Sequence, residues 1–439
     1  MFRCRRQLLG SARRLFLGRP RPGAMARPRG FASMAAWEPD DGFVMNHLTT
    51  AGDASKMPTF VRGELMESSI DLRNVAPGET IELPYELTVN GALRELWTTA
   101  FHTTNRLVTS RVYSQRLGFE DQILPFDLMF FLASSMSHAA AATVDVGYAD
   151  ARYYSAAYAG DTFRKSFLIK SRRISVLRPD RCVMTFECIM RNQRGDVVFS
   201  VDKTMLFPVA AGERAPDFAL EETDLSRRPP PQALREQIMR WAEDVGDDSR
   251  GSLRQLTPGR LIVHSASRPI TTTQTMQLAS IGRIVHDRHF NAPRFSSDAA
   301  EKRLYVPGAL GVALAHSLAG RELHEMLFQT LHSASFTAPL HPGDVVSAVT
   351  FVRARADYAA ADLEKLEVVT LGLVGVADAR ALAEAPLPAA LFLGDAPLRA
   401  RDVRAILDRH PCGLRPDQVI LQTKRSIYRQ APRAEPFLL

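Results

Sequence analysis

Residues 152–162 have the sequence Arg-Tyr-Tyr-Ser-Ala-Ala-Tyr-Ala-Gly-Asp-Thr, and residues 335–345 have the sequence Ser-Phe-Thr-Ala-Pro-Leu-His-Pro-Gly-Asp-Val. Each stretch ends near a Gly-Asp pair, and the two pairs lie 183 residues apart, at Gly160 and Gly343. A spacing of this size is too long for a solenoid repeat and matches a whole small domain. The two stretches therefore predict one ancestral domain that was duplicated and fused.

The sequence upstream of each Gly-Asp pair repeats as well. Pro125 and Pro307, which are 182 residues apart, each open an apolar, alanine-rich stretch. Residues 124–142 are apolar on all sides for the first turns, and a helix of that kind is a buried one. We therefore predict central helices at 124–142 and 305–318.

Alternating apolar and polar residues, separated by turn residues, predict antiparallel strands before and after the first helix and after the second. In the first half the predicted strands are 79–90, 151–154, 162–175, 181–191 and 196–207. In the second half they are 331–336, 345–355, 366–376 and 389–393, with 419–428 as an additional edge strand. A long helix wrapped by an antiparallel sheet, present twice, is an α+β fold of the double hot-dog type.

This organisation divides the chain into five segments. They are a leader at 1–36, an N-terminal hot-dog domain at 37–208, a linker at 209–258, a C-terminal hot-dog domain at 259–400 and a tail at 401–439. The linker is rich in proline, glycine and charged residues, which are typical of a connecting segment. It also contains a predicted short helix at 231–244.

The positive charge of the chain is concentrated at its start. The formal net charge is +7, and nine arginines lie in the first 37 residues, before the first acidic residue at Glu38. An arginine-rich, acid-poor leader is typical of a mitochondrial transit peptide. We therefore expect a mitochondrial matrix protein whose mature body is close to neutral, which argues against nucleic-acid binding; a basic tail is the alternative.

The cysteines and the apolar runs exclude several classes of protein. Cys4, Cys182, Cys188 and Cys412 lack the spacing of a zinc site or a disulfide framework, so we expect no metal and a reducing compartment. The longest apolar run, residues 123–136, is shorter than the ~20 residues that a membrane helix needs. The sequence therefore predicts no membrane insertion.

Several stretches resemble a known enzyme family. Residues 146–154 (Val-Gly-Tyr-Ala-Asp-Ala-Arg-Tyr-Tyr), 159–162 and 191–198 are similar to segments of mesaconyl-CoA hydratases, which are MaoC-type (R)-enoyl-CoA hydratases. Residues 306–310 and 336–344 resemble the helix start and the substrate-side strand of the same family. The resemblance extends over roughly residues 80–400.

The resemblance implies an activity. Members of this family add water to a 2-enoyl-CoA thioester, or remove it, using an acidic or amide side chain and a histidine five residues later. Backbone N–H groups at the start of the following helix hold the thioester oxygen as negative charge develops, which suits the positive end of a helix. The CoA thioester is the substrate, so no cofactor is implied.

The family's catalytic pair is altered in this chain. If Asn291 occupies the position of the motif's asparagine, His289 stands where the acid belongs and Arg294 where the histidine belongs. If the alignment is anchored on Arg283 instead, Asp287 takes the acid position, but Ala292 lies five residues later, so neither register gives both partners. In an extended segment, residues two apart share a face, so Asp287 and His289 could still meet the same water. We therefore predict Asp287 and His289 as the catalytic residues, with His286 as the alternative partner. The predicted substrate-binding residues are Asn291, Arg294, Pro307 and Gly308.

Some aspartate, histidine and basic residues of the chain could have structural instead of functional roles. Asp287 could be a solvated turn carboxylate, and His316 is predicted to be a hydrogen-bonded core histidine. Asp161 and Asp344 are predicted to shape turns. The basic stretch 164–181 could meet CoA phosphates or form a solvated sheet face.

Two main functions are compatible with these observations. The first is a mitochondrial acyl-CoA hydratase or dehydratase acting on a short, branched or mesaconyl-like enoyl-CoA. The second is an inactive hot-dog homologue that is a structural subunit or assembly factor of a mitochondrial complex such as the mitochondrial ribosome. A hot-dog thioesterase is a third, weaker alternative, because it needs a carboxylate or a positioned water near the helix.

The leader provides a first prediction. Import into mitochondria should remove it near residue 32, where Arg29-Gly-Phe-Ala precedes Ser33. N-terminal sequencing of the mature protein should then begin close to Ser33. Recovery of Met1 or Phe2 from mitochondria would contradict this prediction.

Overall fold

The structure is a computed structural model of the 439-residue chain. It describes residues 78–135, 144–176, 178–209, 218–220, 229–245, 255–291, 303–323, 325–358 and 360–432. All of these residues belong to one compact unit, 68–439. The predicted leader at 1–36 and Arg294 lie outside the described residues.

The described strands form a single antiparallel sheet. They are β1 (Thr80–Thr88), β2 (Val144–Tyr153), β3 (Thr162–Ile174), β4 (Arg181–Arg191), β5 (Val197–Pro208), β6 (Phe218–Ala219), β7 (Leu261–Val263), β8 (Arg268–Pro269), β9 (Met326–Phe336), β10 (Val345–Tyr358), β11 (Ala360–Val374) and β12 (Val419–Gln430). Their order is β1-β3-β4-β5-β2-β9-β12-β11-β10-β7, with β6 beside β3 and β8 beside β10. Outward from the β2–β9 junction, the two halves therefore have the same order.

Strands β2 and β9 join the halves into one continuous sheet. They pair antiparallel, with Gly147 opposite Ser335 and Ala151 opposite Leu331. A Cβ atom at Gly147 would lie 2.5 Å from the carbonyl oxygen of Ala334, so only glycine permits this approach. The sheet is therefore continuous from one half to the other.

The two central helices are both buried. The first central helix (Phe126–Ser134) begins after Pro125, and the second central helix (Gly308–Gly320) begins after Pro307. Neither has a side-chain cap at its first turn. Nearly every described side chain of both helices is buried, as expected for helices that are apolar all round. The predicted helix starts are confirmed.

The remaining described helices surround this framework. They are Gly91–Ala100, Arg106–Thr109, Arg111–Arg116, Ala233–Val245, Thr272–Ile281, Ala379–Glu384, Ala390–Leu393 and Ala400–Arg409, with 3₁₀ turns at Asp287–His289 and Pro416–Gln418. The helix at 233–245 lies in the predicted linker, and its Leu234 and Ile238 are part of the core. The linker therefore contributes to the packing of the unit.

The two Gly-Asp turns have the same geometry. Gly160 and Gly343 have φ angles of +109° and +95°, which favour glycine. The carboxylate of Asp161 accepts a hydrogen bond from the N–H group of Tyr158, and that of Asp344 accepts one from His341, three residues earlier in both cases. Asp161 and Asp344 shape turns, as predicted.

The end of the second half differs from the prediction. Residues 390–393 form a helix, so the predicted strand at 389–393 is wrong. Strand β12 lies between β9 and β11 and is buried along its whole length, so the prediction of an edge strand in a 401–439 tail is also wrong. Its sequence, Val-Ile-Leu-Gln-Thr-Lys-Arg-Ser-Ile-Tyr-Arg-Gln, is too polar to indicate a central strand.

The helices between β11 and β12 explain part of this difference. Leu391, Phe392, Val403 and Leu407 from these helices pack in one buried cluster with the β11 side chain of Leu371. The helices thereby cover a face of the sheet that an uninterrupted meander would leave to solvent. Burial on both faces removes the alternation that identifies a half-buried strand.

Arg429 of β12 forms a buried ion pair with Glu364 of β11. Glu364 and Arg429 are fully buried, and the Nε atom of Arg429 donates to Glu364 Oε1 over 2.6 Å. Arg355 donates to the other carboxylate oxygen of Glu364 over 2.5 Å. A buried carboxylate between two guanidinium groups compensates for the loss of hydration at this position.

Replacing this carboxylate should destabilise the second half. Glu364→Ala removes the negative charge between two arginines, and loss of one partner of a buried ion pair costs about 3–5 kcal/mol. Urea unfolding should show this loss, whereas Glu384→Ala on an exposed helix should change the free energy of unfolding by less than about 0.5 kcal/mol. Equal effects of the two substitutions would contradict the assignment of β12 to the core.

Candidate functional site

A cavity of about 660 Å³ lies at the N-terminus of the second central helix. Side chains from the first half line one side, including Ser134 at the end of the first central helix and Asp145 on β2. The second half contributes residues before the second central helix and residues at the end of β9. The cavity therefore lies between the two hot-dog halves and needs both.

The second central helix presents its first turn to the cavity. Pro307, Gly308 and Ala309 are among the lining residues. The carbonyl oxygen of Pro307 accepts the first helical bond, from the N–H group of Leu310, and the helix has no side-chain cap. The N–H groups of a helix's first turn have no intrahelical partner and form its positive end. They can stabilise negative charge that develops on a bound oxygen.

The aromatic ring of Phe336 covers Gly308. A Cβ atom at Gly308 would lie 2.6 Å from the Cζ atom of Phe336, so a larger residue would displace the ring. Phe336 also packs edge-on against Tyr148 from β2, with 5.8 Å between the ring centroids. These rings form an apolar wall beside the polar end of the helix.

His289 is a neutral imidazole whose tautomer follows from its contacts. Its Nδ1 atom lies 2.7 Å from the carbonyl oxygen of Tyr305. Because a carbonyl can only accept, Nδ1 carries the proton and Nε2 has the lone pair. Burial lowers the pKa of His289, and the bond to Tyr305 and the carboxylate of Asp145 oppose this shift. At neutral pH the ring can therefore accept a proton at Nε2.

His286 has the opposite tautomer. Its Nδ1 atom accepts a hydrogen bond of 3.1 Å from the backbone N–H group of Arg288, so the proton is on Nε2. Burial, together with His289 and Arg288, lowers the pKa of His286 to about 4. The centroids of the two imidazoles are 6.0 Å apart, and both rings line the cavity. One ring can accept a proton and the other can donate a hydrogen bond.

A carboxylate from the first half also lines the cavity. Asp145 lies 3.1 Å from the Nζ atom of Lys203, and the hydroxyl group of Tyr148 donates to its Oδ2 over 3.1 Å. Burial raises the pKa of Tyr148 well above its usual value, so Tyr148 remains a donor. Asp145 is thereby held in position as an acceptor, and its charge acts on both histidines.

Two buried lysines meet the C-terminus of the first central helix. Lys203 donates to the carbonyl oxygen of Ser134 over 3.1 Å, and Lys165 donates to that of Ser135 over 2.9 Å. These bonds place positive charge at the negative end of the helix. Burial lowers the pKa of Lys165 to about 8. The polar wall of the cavity is therefore attached rigidly to this helix end.

Basic residues also line the cavity. Arg178 and Arg288 are among the lining residues, and the Arg288 guanidinium lies 5.2 Å from the centre of the Tyr305 ring. Elsewhere in the basic stretch 164–181, Arg164 pairs with Glu86 and Lys170 with Asp202. Most of that stretch is therefore engaged in the sheet, and Arg178 is its described member at the cavity.

The structure brings together four of the predicted site residues. His286, His289, Pro307 and Gly308 line the cavity. Asp287 lies in the 3₁₀ turn between the histidines, is partly buried, and is not a lining residue. Asn291 is exposed and donates its backbone N–H group to the carbonyl oxygen of Asp287, while Arg294 is outside the described residues.

Two residues of the cavity wall, Asp145 and Lys203, were not predicted from the sequence. Asp145 begins the segment that precedes Tyr148, and Lys203 interrupts the apolar strand β5. A charged residue within an otherwise buried strand is a usable signal, because charge is rarely buried without a partner. Tyr148 pairs with Lys203 on neighbouring strands, and this register brings Asp145, three residues before Tyr148, close to Lys203.

Two further expectations concern metals and membranes. Among the residues that the structure describes, no three histidine, cysteine, aspartate or glutamate side chains are grouped so as to hold a metal ion. None of the helices in the described ranges is long and apolar enough to span a membrane.

Comparison with known proteins shows the fold. No family model matches the chain, and no curated protein matches it. A putative MaoC-domain dehydratase from Chloroflexus aurantiacus is similar, with a TM-score of 0.63 and 18% identity over 84% of this chain and 99% of that chain. A conserved hypothetical protein from Mycobacterium tuberculosis with a double hot-dog fold has a TM-score of 0.56 and 14% identity, over 81% and 97% of the two chains.

A third structure, a MaoC-like dehydratase, has a TM-score of 0.51 and 10% identity, over 81% of this chain and 99% of that chain. The predicted α+β double hot-dog fold is confirmed by these structures and by the order of the strands.

The buried neutral histidines should make stability depend on pH. The folded-state pKa of His286 is about 4 and those of His289 and His316 are also lowered, whereas unfolded histidine has a pKa near 6.5. Between these values the unfolded chain binds protons that the folded chain does not, so the free energy of unfolding should fall from pH 7 to pH 5.

Urea unfolding at the two pH values measures this loss. In His286→Gln, the fall in the free energy of unfolding between pH 7 and pH 5 should be smaller by on the order of 1 kcal/mol, after allowance for the partial exposure of His286. His410→Gln, at an exposed position, should leave it unchanged. If His286→Gln leaves the loss of unfolding free energy unchanged, the assignment of a neutral, partly buried His286 is contradicted.

Proposed function

We propose that this protein is an acyl-CoA hydratase or dehydratase, which adds water to a short 2-enoyl thioester or removes it. The observation that supports this most directly is the neutral His289, with its lone pair on Nε2, in a cavity that also contains the uncapped start of a buried helix. The reaction needs a base for water and a positive site for an enolate oxygen. Both are present in one cavity.

The first step is attack by water on the β-carbon. His289 accepts a proton from water at Nε2, and the oxygen of that water forms a bond to the β-carbon. The electrons of the C2=C3 double bond move to the thioester carbonyl, whose oxygen becomes negative. Asp145 lines the same cavity, its charge acts on both histidines, and its carboxylate can hold the second hydrogen of the water.

The second step completes the addition. The enolate oxygen is stabilised by the N–H groups at the start of the second central helix, which form its positive end. The imidazolium of His289 then returns its proton to the α-carbon, either directly or through a water molecule. The product is a 3-hydroxyacyl thioester, and dehydration follows the same path in reverse.

The charges around the cavity support a CoA thioester as substrate. Arg178 and Arg288 are cations beside an otherwise largely apolar cavity, and the phosphates of CoA are anions of the kind that arginine binds well. A volume of about 660 Å³ admits an acyl group and part of a pantetheine arm. Lys203 in the inner wall is compatible with a substrate that carries a second carboxylate, as mesaconyl-CoA does.

The names of the similar structures support the same class of reaction. Two of them are called MaoC dehydratases, and the fold of this chain covers nearly all of each. We also propose a mitochondrial matrix location, which the arginine-rich leader supports.

The position of Asp287 favours a second candidate function. The carboxylate that the sequence places nearest the family's acid position does not line the cavity. An inactive relative with a structural role in a large mitochondrial assembly would have this property. Such a protein would show no turnover with any enoyl-CoA and would migrate within the assembly in a mitochondrial extract.

Substitution of His289 tests the active-enzyme proposal. With crotonyl-CoA and mesaconyl-CoA as substrates, His289→Gln should lower kcat by about 10²–10⁴-fold, the usual contribution of a general base. His410→Gln replaces an exposed histidine and should leave kcat unchanged. Absence of turnover in the unmodified protein would favour the structural role instead.

The same assay distinguishes the role of Asp145 from that of Asp287. Asp145→Asn should lower kcat because it removes a charge that lines the cavity and acts on both histidines, whereas Asp287→Asn should have little effect because that carboxylate is not a lining residue. A large loss in Asp287→Asn with none in Asp145→Asn would restore the catalytic pair predicted from the sequence.

A further inference from the structure

A second, smaller cavity lies at the start of the first central helix. It has a volume of about 90 Å³, and Pro125, Phe126 and Asp127 at this helix start are among its lining residues. The second central helix contributes Ala313 and His316 from its later turns. The smaller and the larger cavity share no lining residue, so the smaller one is a separate candidate site.

The duplication relates the two cavities position by position. Asp127 corresponds to Ala309, and His316 corresponds to Ser134, because both pairs are 182 residues apart, the offset between the two helix starts. Ala309 and Ser134 line the larger cavity. The smaller cavity therefore has a carboxylate and an imidazole where the larger one has a methyl group and a hydroxyl group.

A hydrogen bond joins the carboxylate and the imidazole of the smaller cavity. His316 Nδ1 lies 2.7 Å from Asp127 Oδ1, and its Nε2 lies 3.3 Å from the hydroxyl oxygen of Thr423 on β12. Because a carboxylate can only accept, Nδ1 carries the proton and Nε2 accepts from Thr423. Burial lowers the pKa of His316, so the ring is neutral at neutral pH. His316 is a hydrogen-bonded core histidine, as predicted, and it orients Asp127 without cancelling its charge.

The second carboxylate oxygen of Asp127 is available to a molecule in the cavity. Asp127 lines the cavity, and its side chain is 20% exposed. The hydrogen bond from His316 uses Oδ1, which leaves Oδ2 as the acceptor for a bound water. A carboxylate that accepts from a water molecule can take its proton as a general base.

The start of the first central helix supplies hydrogen-bond donors beside this carboxylate. The first bond of the helix runs from the N–H group of Met129 to the carbonyl oxygen of Pro125 over 3.0 Å, and the helix has no side-chain cap. The N–H groups of Asp127 and Leu128 precede this bond and therefore have no partner within the helix. They form its positive end and can stabilise negative charge on the oxygen of a reacting carbonyl.

The remaining lining residues indicate the size and polarity of the substrate. Much of the lining is apolar or aromatic, including Trp97, Phe101 and Phe328. A volume of about 90 Å³ is that of about three liquid water molecules, which suits an acetyl or propionyl group and excludes a long acyl chain. Thr104 also lines the cavity and is exposed, so the rest of a substrate can extend into solvent there.

We propose that the smaller cavity is a second active site, which hydrolyses a short-chain acyl thioester with Asp127 as the general base. A carboxylate near a central helix is the feature that a hot-dog thioesterase needs, and Asp127 supplies it. The site does not rest on the proposed hydratase activity, because its residues are separate from those of the larger cavity.

The reaction needs only the thioester and water. Asp127 accepts a proton from water at Oδ2, and the oxygen of that water forms a bond to the thioester carbon. The electrons of the C=O bond move to its oxygen, whose negative charge the N–H groups of the first turn stabilise. The carbonyl re-forms as the C–S bond breaks, and the leaving thiolate takes the proton from Asp127. The products are a carboxylic acid and a free thiol.

Release of free thiol from acetyl-CoA by the full-length protein tests this proposal. Acetyl-CoA has no double bond to hydrate, so this measurement is independent of the larger cavity's proposed reaction. Asp127→Asn keeps an acceptor for His316 but removes the base, and should lower kcat by about 10²–10⁴-fold. Asp408→Asn replaces an exposed aspartate and should leave kcat unchanged.

The dimensions of the cavity provide a second measurement. Octanoyl-CoA should be hydrolysed with a kcat/KM at least tenfold below that of acetyl-CoA, because its chain exceeds the cavity. Ala313→Leu places a larger side chain in the cavity wall and should lower kcat/KM for acetyl-CoA at least tenfold. If Asp127→Asn does not fold, the comparison of chain lengths and the Ala313→Leu result decide.

His316 is a positioning residue in this reaction. His316→Gln should lower kcat per folded molecule at least tenfold and leave KM within about twofold, because Asp127 loses its fixed orientation. A purely structural role would reduce the folded fraction and leave kcat per folded molecule unchanged.

No release of thiol from acetyl-CoA by the unmodified protein would overturn the proposal, as would equal rates in Asp127→Asn and the unmodified protein. Equal kcat/KM values for acetyl-CoA and octanoyl-CoA would also overturn it. Loss of hydrolysis in His289→Gln with retention in Asp127→Asn would assign the reaction to the larger cavity and would overturn it as well. Absence of enoyl-CoA turnover would contradict the hydratase proposal alone.

Discussion

The pairing of β2 with β9 is the constraint on which the rest of the molecule depends. It fuses two half-sheets into one and requires a residue without a side chain at Gly147, where the partner backbone approaches most closely. Because each central helix lies on its own half of the sheet, this junction also fixes how the helices meet. The N-terminus of each helix then lies near the later turns of the other, and a cavity forms at each of these two places.

Duplication and later divergence explain why the two cavities differ. At the larger one, lysines from β3 and β5 satisfy the carbonyl groups that end the first central helix, and histidines precede the second. At the smaller one, which adjoins the start of the first central helix, His316 of the second central helix contacts Asp127 of the first. The same backbone arrangement thus carries different polar groups at its two cavities.

Much of the fold could be predicted from the sequence, because the relevant signals are local. Apolar helices after Pro125 and Pro307, and the turns at Gly160 and Gly343, follow from residue type and spacing alone. The position of β12 could not be predicted, since its polar side chains find partners on distant strands and helices. The site follows the same division. His289 could be recognised from its own segment of sequence, whereas the position of Asp145 depends on tertiary contacts with Tyr148 and Lys203.

The central position of β12 has a consequence for how the chain folds during synthesis. This strand is the last one described, yet it separates β9 from β11, so both remain unpaired on one edge until residues 419–430 have left the ribosome. Open strand edges are templates for association with other chains. The first half, whose five principal strands are contiguous in sequence, can form earlier. The nascent second half should therefore be the part that needs a chaperone.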